Sequence, residues 1–170
     1  MAEGLVAMHR QYGFSYVIVM FLVAMVSIIS VRAMENTQMT LRREKEAELM
    51  MVGLAYRNAI RSYYENSPGT AKTYPQKMEG LGRLINDTGR TTRPQRHLRQ
   101  LWRDPITGSK DWGLVYSGDD LIGVYSLSNQ EPIKKDGFPP ELASFKDAKA
   151  YSGWQFVYQP VPVVPPATLP

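Results

Sequence analysis

The chain predicts an α+β fold in which one long N-terminal helix packs on a small antiparallel sheet. Three observations carry this reading. Residues 13–31 form an unbroken apolar run, and a stretch rich in helix formers follows it to residue 65 without a proline. Two apolar segments, 112–117 and 121–127, flank the turn triplet Gly118-Asp119-Asp120, which is a hairpin signal. A further segment, 154–158, alternates large residues and reads as a third strand.

Composition bounds the function. A length of 170 residues suits one domain with accessories. Hydrophobic residues make up 44%, with much of that content before residue 32, so the remainder is a modest globular part. The net charge of +4 is too weak by itself to imply a nucleic-acid partner. The absence of cysteine removes disulfides, thiolate catalysis and Cys-ligated zinc. His9 and His97 are the only histidines and lie far apart. HExxH, G-x-S-x-G and P-loop patterns are missing, and neither Glu79 nor Asp87 has an acidic partner for hydrolytic chemistry. The chain therefore reads as non-enzymatic.

Between Arg10 and Arg32 there is no charged residue. The 19 residues 13–31 would span roughly 28 Å as a helix, about the hydrocarbon thickness of a bilayer. Eleven of them are Phe, Val, Ile or Leu, and together these favour insertion by roughly 3–6 kcal/mol. Gly13, Tyr16, Ser27 and Ser30 offset part of that. A cleaved secretory signal would have a shorter apolar core and a small-residue exit site. An uncleaved signal anchor and a buried core helix remain as alternatives. Flanking charge leaves orientation open, since His9 and Arg10 lie on one side and Arg32, Arg42, Arg43 and Lys45 on the other.

Beyond the apolar run, Leu49, Val52, Tyr56, Ile60 and Tyr63 recur at three- and four-residue spacing, with Ala55 and Ala59 widening the stripe. One helix from Phe14 to about Asn66 is expected, ended by Asn66-Ser67-Pro68-Gly69. Residues 35–48 are polar all round, and Arg42 and Glu46 stand at i,i+4 as an ion pair. This charge run reads as a solvated helix surface, or as a contact with other helices. After the helix, short helices are expected over 74–85 and over 94–102, the second opened by Pro94. Asp104-Pro105-Ile106-Thr107-Gly108 reads as a turn. Residues 159–170 include five prolines and form an extended tail.

The run Arg10-Gln11-Tyr12-Gly13-Phe14-Ser15-Tyr16 places a short leader ending in Gly before Phe and an apolar helix. It resembles the N-terminus of type IV pilins and type II secretion pseudopilins. Tyr74-Pro75 with Met78 and Leu81, Asp104-Pro105, Trp112-Gly113 and Gly123-Val124-Tyr125-Ser126-Leu127 are similar to the major pseudopilin group. The resemblance implies cleavage by a prepilin peptidase after Gly13 and methylation of the new N-terminal Phe14. It implies a single-pass location in a bacterial inner membrane with the head in the periplasm. Its partners would be other pilin or pseudopilin subunits and an inner-membrane assembly platform. Phe14, Ile18, Phe21 and Leu22 would carry assembly. The family usually has Glu at the fifth mature position, where this chain has Ile18. A carboxylate within a bilayer is costly and persists only for a purpose. Its absence implies a minor or atypical subunit.

The implied organisation is a leader over 1–13, a membrane and assembly segment over 14–33, the exported helix over 34–66, an α+β head over 67–158 and the tail over 159–170. In the major pseudopilin group, the loop after the Tyr-Ser-Leu strand holds calcium. The matching loop here offers Asn129, Glu131 and Asp136, but also Lys134 and Lys135, whereas calcium sites need several oxygen ligands and net negative charge. Arg90, Arg93, Arg96, Arg99 and Arg103 form a cationic cluster, and a helix opened by Pro94 would put the last three on one face. Two readings of that cluster stand. One is a solubilising or subunit-contact surface; the other is phosphate contact in a DNA-binding minor pilin. A signal-anchored periplasmic protein that forms no filament is the third reading of the chain as a whole.

Overall fold

A computed structural model describes residues 12–88 and 94–160, with side chains described from residue 15 onward except at 35 and 36. The architecture is α+β, as the sequence predicts, and is compatible with a pilin-like arrangement. Helix α1 runs over Tyr12–Glu65, followed by a single-turn helix α2 over Gly82–Ile85. Strands β1 (Gly113–Ser117), β2 (Asp120–Tyr125) and β3 (Phe156–Val157) form one sheet in the order β1-β2-β3. Two 3-10 segments, Pro140–Asp147 and Tyr151–Gly153, lie between β2 and β3 and were not expected from the sequence. The chain divides into two compact units, Met1–Leu41 and Arg42–Pro170.

In the first unit the described residues belong to α1. Tyr16, Phe21, Ile28, Ile29 and their apolar neighbours are all exposed. The helix is long and apolar enough to cross a membrane, and none of its apolar window is buried within the chain. Two hydroxyls in this stretch are turned back on the helix itself. Ser27 Oγ donates to the Val23 carbonyl at 2.8 Å and Ser30 Oγ to the Val26 carbonyl at 2.9 Å. Those bonds remove the hydroxyls' need for water, which is what an apolar surrounding demands.

The second unit is built on the apolar stripe of α1. Leu49, Val52, Tyr56, Ala59, Ile60 and Tyr63 are buried, in line with the predicted period. They pack with Trp112, Val124, Phe145, Trp154 and Phe156 in one core. β1 and β2 pair antiparallel from Gly113↔Tyr125 to Ser117↔Asp120, with an irregularity between Val115 and Tyr116. The connection is the two-residue turn Gly118-Asp119, and Gly118 has φ +63°, a value that favours glycine. β3 joins through Gly123↔Val157 and Val124↔Phe156. Arg57 on α1 holds this last strand, with Nε donating to the Val157 carbonyl at 2.9 Å and a 2.6 Å ion pair to Glu141.

Two expected helices are corrected. Over 74–85 only Gly82–Ile85 is helical, because the preceding segment bonds to the sheet. Gln76 bridges Asp120, Lys77 N donates to the Asp119 carbonyl, and Leu121 N donates to the Pro75 carbonyl. Over 94–102 there is no helix. Gln95 bridges Asp87, and the His97 and Leu98 amides both donate to the Leu84 carbonyl at 2.9 and 2.8 Å. Backbone partners supplied from elsewhere outweigh local helix propensity. The expected turn at 104–108 is present, closed by Gly108 N on the Asp104 carbonyl at 2.7 Å.

Gly53 is the one glycine in the buried part of α1, and its role is close approach. A Cβ there would lie 2.3 Å from the Phe156 ring, which is itself fully buried. Gly→Ala inside a helix normally gains about 1 kcal/mol. Here Gly53→Ala is expected to lose about 1–3 kcal/mol through overpacking. Urea unfolding of the full chain in detergent checks this, and Phe156→Leu in the same chain should recover part of the loss.

The Tyr56 hydroxyl donates to the Trp102 carbonyl and accepts from the Trp102 amide at 2.9 Å. Burial pushes its pKa up to about 12, against the opposing effect of its bond to the Trp102 backbone. Burial, with nearby Tyr64, Tyr158 and Asp120, also pushes Tyr74 up to about 12. Both phenols bind their protons more tightly folded than unfolded. Their stabilisation is thus complete below the unfolded tyrosine value of about 10 and is lost as pH rises toward about 12. The thermal midpoint should fall across that window, and Tyr56→Phe should flatten the alkaline slope.

Candidate functional site

The expected assembly residues sit on the first unit's helix. Ile18, Phe21 and Leu22 are exposed there. The backbone of Gly13 and Phe14 lies within α1, while the Phe14 side chain and residues 1–11 are outside the described residues. Ile18, Phe21 and Leu22 offer an apolar surface.

Three of the five arginines of the expected cluster are among the described residues. Arg90 and Arg93 lie outside the described residues. Arg96, Arg99 and Arg103 are exposed on non-helical backbone, so the shared helical face is absent. Arg103 turns back on its own loop, donating to the Gly108 carbonyl at 3.2 Å.

His97, far from the other histidine in sequence, is held among neighbours. Its side chain is 3% exposed, with Nδ1 2.9 Å from Ser62 Oγ and Nε2 3.6 Å from Asp87 Oδ2. Arg83 reaches both Glu79 at 3.3 Å and Asp87 at 3.6 Å. Ser, His and Asp are residue types of a nucleophilic triad. Here the imidazole is sealed and its ring packs edge-on to Tyr63 at 5.4 Å. A nucleophilic site needs substrate access to the serine and the base together, which the sealed ring denies. The cluster ties Arg83, Asp87 and His97 to Ser62 near the end of α1.

Asp104, expected in a turn and quoted with Pro105 in the pseudopilin resemblance, is a second buried carboxylate. It is fully buried and accepts from the Ile106 amide at 2.9 Å, Thr107 Oγ1 at 2.9 Å and Ser126 Oγ at 2.7 Å. It ties the turn to the segment leaving β2.

The loop following that segment carries the expected calcium ligands, and their contacts are as follows. Asn129 Oδ1 accepts from Ser152 Oγ at 3.4 Å. Glu131 Oε1 accepts from Lys135 Nζ at 2.8 Å, and that ammonium holds the Glu131 carboxyl below its usual range. Asp136 accepts from the Gly137 amide at 2.8 Å and from Lys146 Nζ at 3.3 Å, which together hold it low as well. Both carboxylates are already bonded to lysines. Among the described residues there is no group of three or more His, Asp or Glu placed to hold a metal ion. A calcium shell is built from six to eight converging oxygens.

What does converge on this loop is Glu46 of α1. The sequence placed it on a solvated surface, paired with Arg42. It is instead 4% exposed, and its Oε1 accepts from the Ile133 amide at 2.9 Å and the Lys134 amide at 3.0 Å. The signal that could have found it is its position three residues before Leu49, on the buried stripe. Arg42 donates to the Glu131 carbonyl at 3.3 Å. Burial, followed by the Glu46 charge, pushes the nearby Tyr151 hydroxyl up, with Arg42 opposing. A hollow of about 270 Å³ lined by Arg43, Glu46, Ala47, Met50 and Lys134 opens beside the carboxylate.

No family model, curated protein or solved structure matches this chain.

The Asp104 contacts make a direct prediction. Asp104→Ala leaves one amide and two hydroxyls without their acceptor and should cost about 2–4 kcal/mol. Asp104→Asn keeps the shape and should lose less. Denaturant midpoints of the full chain in detergent measure both.

Proposed function

We propose that this chain is a structural, non-enzymatic subunit of a pilin-type filament, of the type II secretion pseudopilus or type IV pilus kind, and a minor or atypical one. One observation carries the reading. A single helix begins as an exposed apolar surface over the first unit and ends as the buried stripe of an α+β head. The Gly13-Phe14 junction at its start supports processing by a prepilin peptidase, and the exposed Ile18, Phe21 and Leu22 support lateral helix contacts.

In this reading the mechanism is mechanical. Phe14 becomes the N-terminus, and residues 14–33 hold the subunit in the inner membrane until an assembly platform moves it into a bundle of like helices. In lipid such helices associate through close packing, because lipid tails are as apolar as the side chains. The heads then face the periplasm. Ile18 leaves the N-terminal amine without the usual carboxylate partner, which suits a position that needs no preceding subunit to receive that amine.

Mass spectrometry of the membrane-extracted protein tests this. A mature chain starting at methylated Phe14 is expected in cells with a prepilin peptidase, and the full-length precursor in cells lacking it. Gly13→Ala should block the cleavage. Intact Met1 in peptidase-containing cells, with Gly13→Ala changing nothing, would overturn the reading.

A further inference from the structure

The loop over residues 128–137 is shaped around a negative charge. The Ile133 and Lys134 amides are consecutive and converge on one oxygen, Glu46 Oε1, at 2.9 and 3.0 Å. Successive backbone N–H groups aimed at one point form a concavity that binds anions. A cation loop has the opposite polarity, with carbonyl and carboxylate oxygens turned inward. Here the acidic side chains turn outward: Glu131 is 74% exposed and Asp136 79% exposed, each on a lysine. Lys134 Nζ lies over the Phe138 ring at 5.2 Å, which brings a further positive charge to the same loop.

We propose that this loop is an anion-binding nest occupied from within the chain by Glu46, and that the head holds it without a divalent cation. The proposal does not rest on the filament reading. It follows from where the donors point and what fills the space between them. Glu46 is a positioning residue. Its carboxylate sets the loop, and the loop then sets its neighbours. Tyr151 N donates to the Gln130 carbonyl and Ser152 N to the Ser128 carbonyl, both at 3.0 Å. Trp154 follows directly and stacks on Phe145 with ring centroids 5.3 Å apart. The nest is therefore coupled to the aromatic core. A buried carboxylate without these donors would be strongly unfavourable, so helix and loop depend on each other. The hollow beside Glu46, rimmed by Arg43 and Lys134, would admit a small anion once the side chain is removed.

The experiment uses the full chain in detergent micelles, with thermal unfolding and amide hydrogen exchange as readouts. Millimolar calcium chloride and a chelator should both leave the wild-type midpoint unchanged. Glu46→Ala should lower the midpoint by roughly 5–10 °C. Sodium formate or acetate should restore part of that loss in the variant, beyond sodium chloride at equal ionic strength. Should Glu46→Ala fail to fold, Glu46→Gln serves, with faster exchange at the Ile133 and Lys134 amides expected. Three results would overturn the proposal: a wild-type midpoint raised by calcium or lowered by the chelator, variants as stable and as protected as wild type, or a destabilised Glu46→Ala indifferent to carboxylate ions.

Discussion

The contact between Gly53 and Phe156 sets the terms for the head. The sheet has three short strands, the last only two residues long, and such a sheet has little independent stability in water. The helical segment from Arg42 onward is equally incomplete, since Tyr56, Ile60 and Tyr63 would stand in water without a cover. Each element stabilises the other, and the distance between them is set where the Phe156 ring lies against bare helix backbone at Gly53. Phe145 then buttresses that ring, edge-on to Phe156 at 5.0 Å, and Trp154 stacks on Phe145. Gly123 repeats the device across the sheet, where an added Cβ would meet the Phe156 carbonyl at 2.7 Å. Close backbone approach, not strand length, makes this small sheet an effective lid.

Buried polar groups fix the connections that the apolar core leaves undefined. Asp104 organises the turn before β1, Glu46 the loop after β2, and Ser67 the exit from α1. Ser67 Oγ contacts the Tyr63 and Thr73 carbonyls at 3.1 and 3.0 Å, while Lys72 Nζ donates to the Glu65 and Ser67 carbonyls. A cation on those carbonyls complements the negative end of the helix. In each case a side chain satisfies backbone groups of a segment lacking regular structure. That is how a head whose described residues form six short elements besides α1 satisfies these backbone groups.

The regular part of this fold was legible because its periods are long. Residues 49–63 show the 3.6-residue stripe several times over, and the hairpin announces itself through Gly118-Asp119. The two misassigned helices failed for a shared reason. Pro94 opens a segment with acceptable propensity, but its amides find the Leu84 carbonyl and the Asp87 backbone, partners invisible to a local pattern. The same holds for Tyr74-Pro75, whose neighbours complete the edge of β2. The burial of Glu46 was not legible because its partners, Ile133 and Lys134, lie far along the chain, and the partner of His97 at Ser62 is equally distant. A residue type carries no mark of such a partner. Only the position of Glu46 on the apolar stripe hinted that it is buried.

The apolar run and the head solve the hydration of polar groups in opposite ways. In the head, side chains from α1 reach out to distant loops. In the apolar run, Ser27 and Ser30 bond one turn back on the same helix and offer nothing outward. Among its described side chains from residue 15 to 31, no charge is present to fix a register against a neighbour. Under the filament reading, this has a consequence for Ile18. A glutamate at that position would specify register through a charge pair, as a single buried polar residue does in other helix bundles. Isoleucine removes both the cost of the charge and the specification. Register would then have to come from shape along Phe21, Leu22 and their neighbours, or from contacts made by the heads. A subunit with a strongly inserting but weakly specifying helix suits a site defined by its head, which is the physical content of calling it minor or atypical.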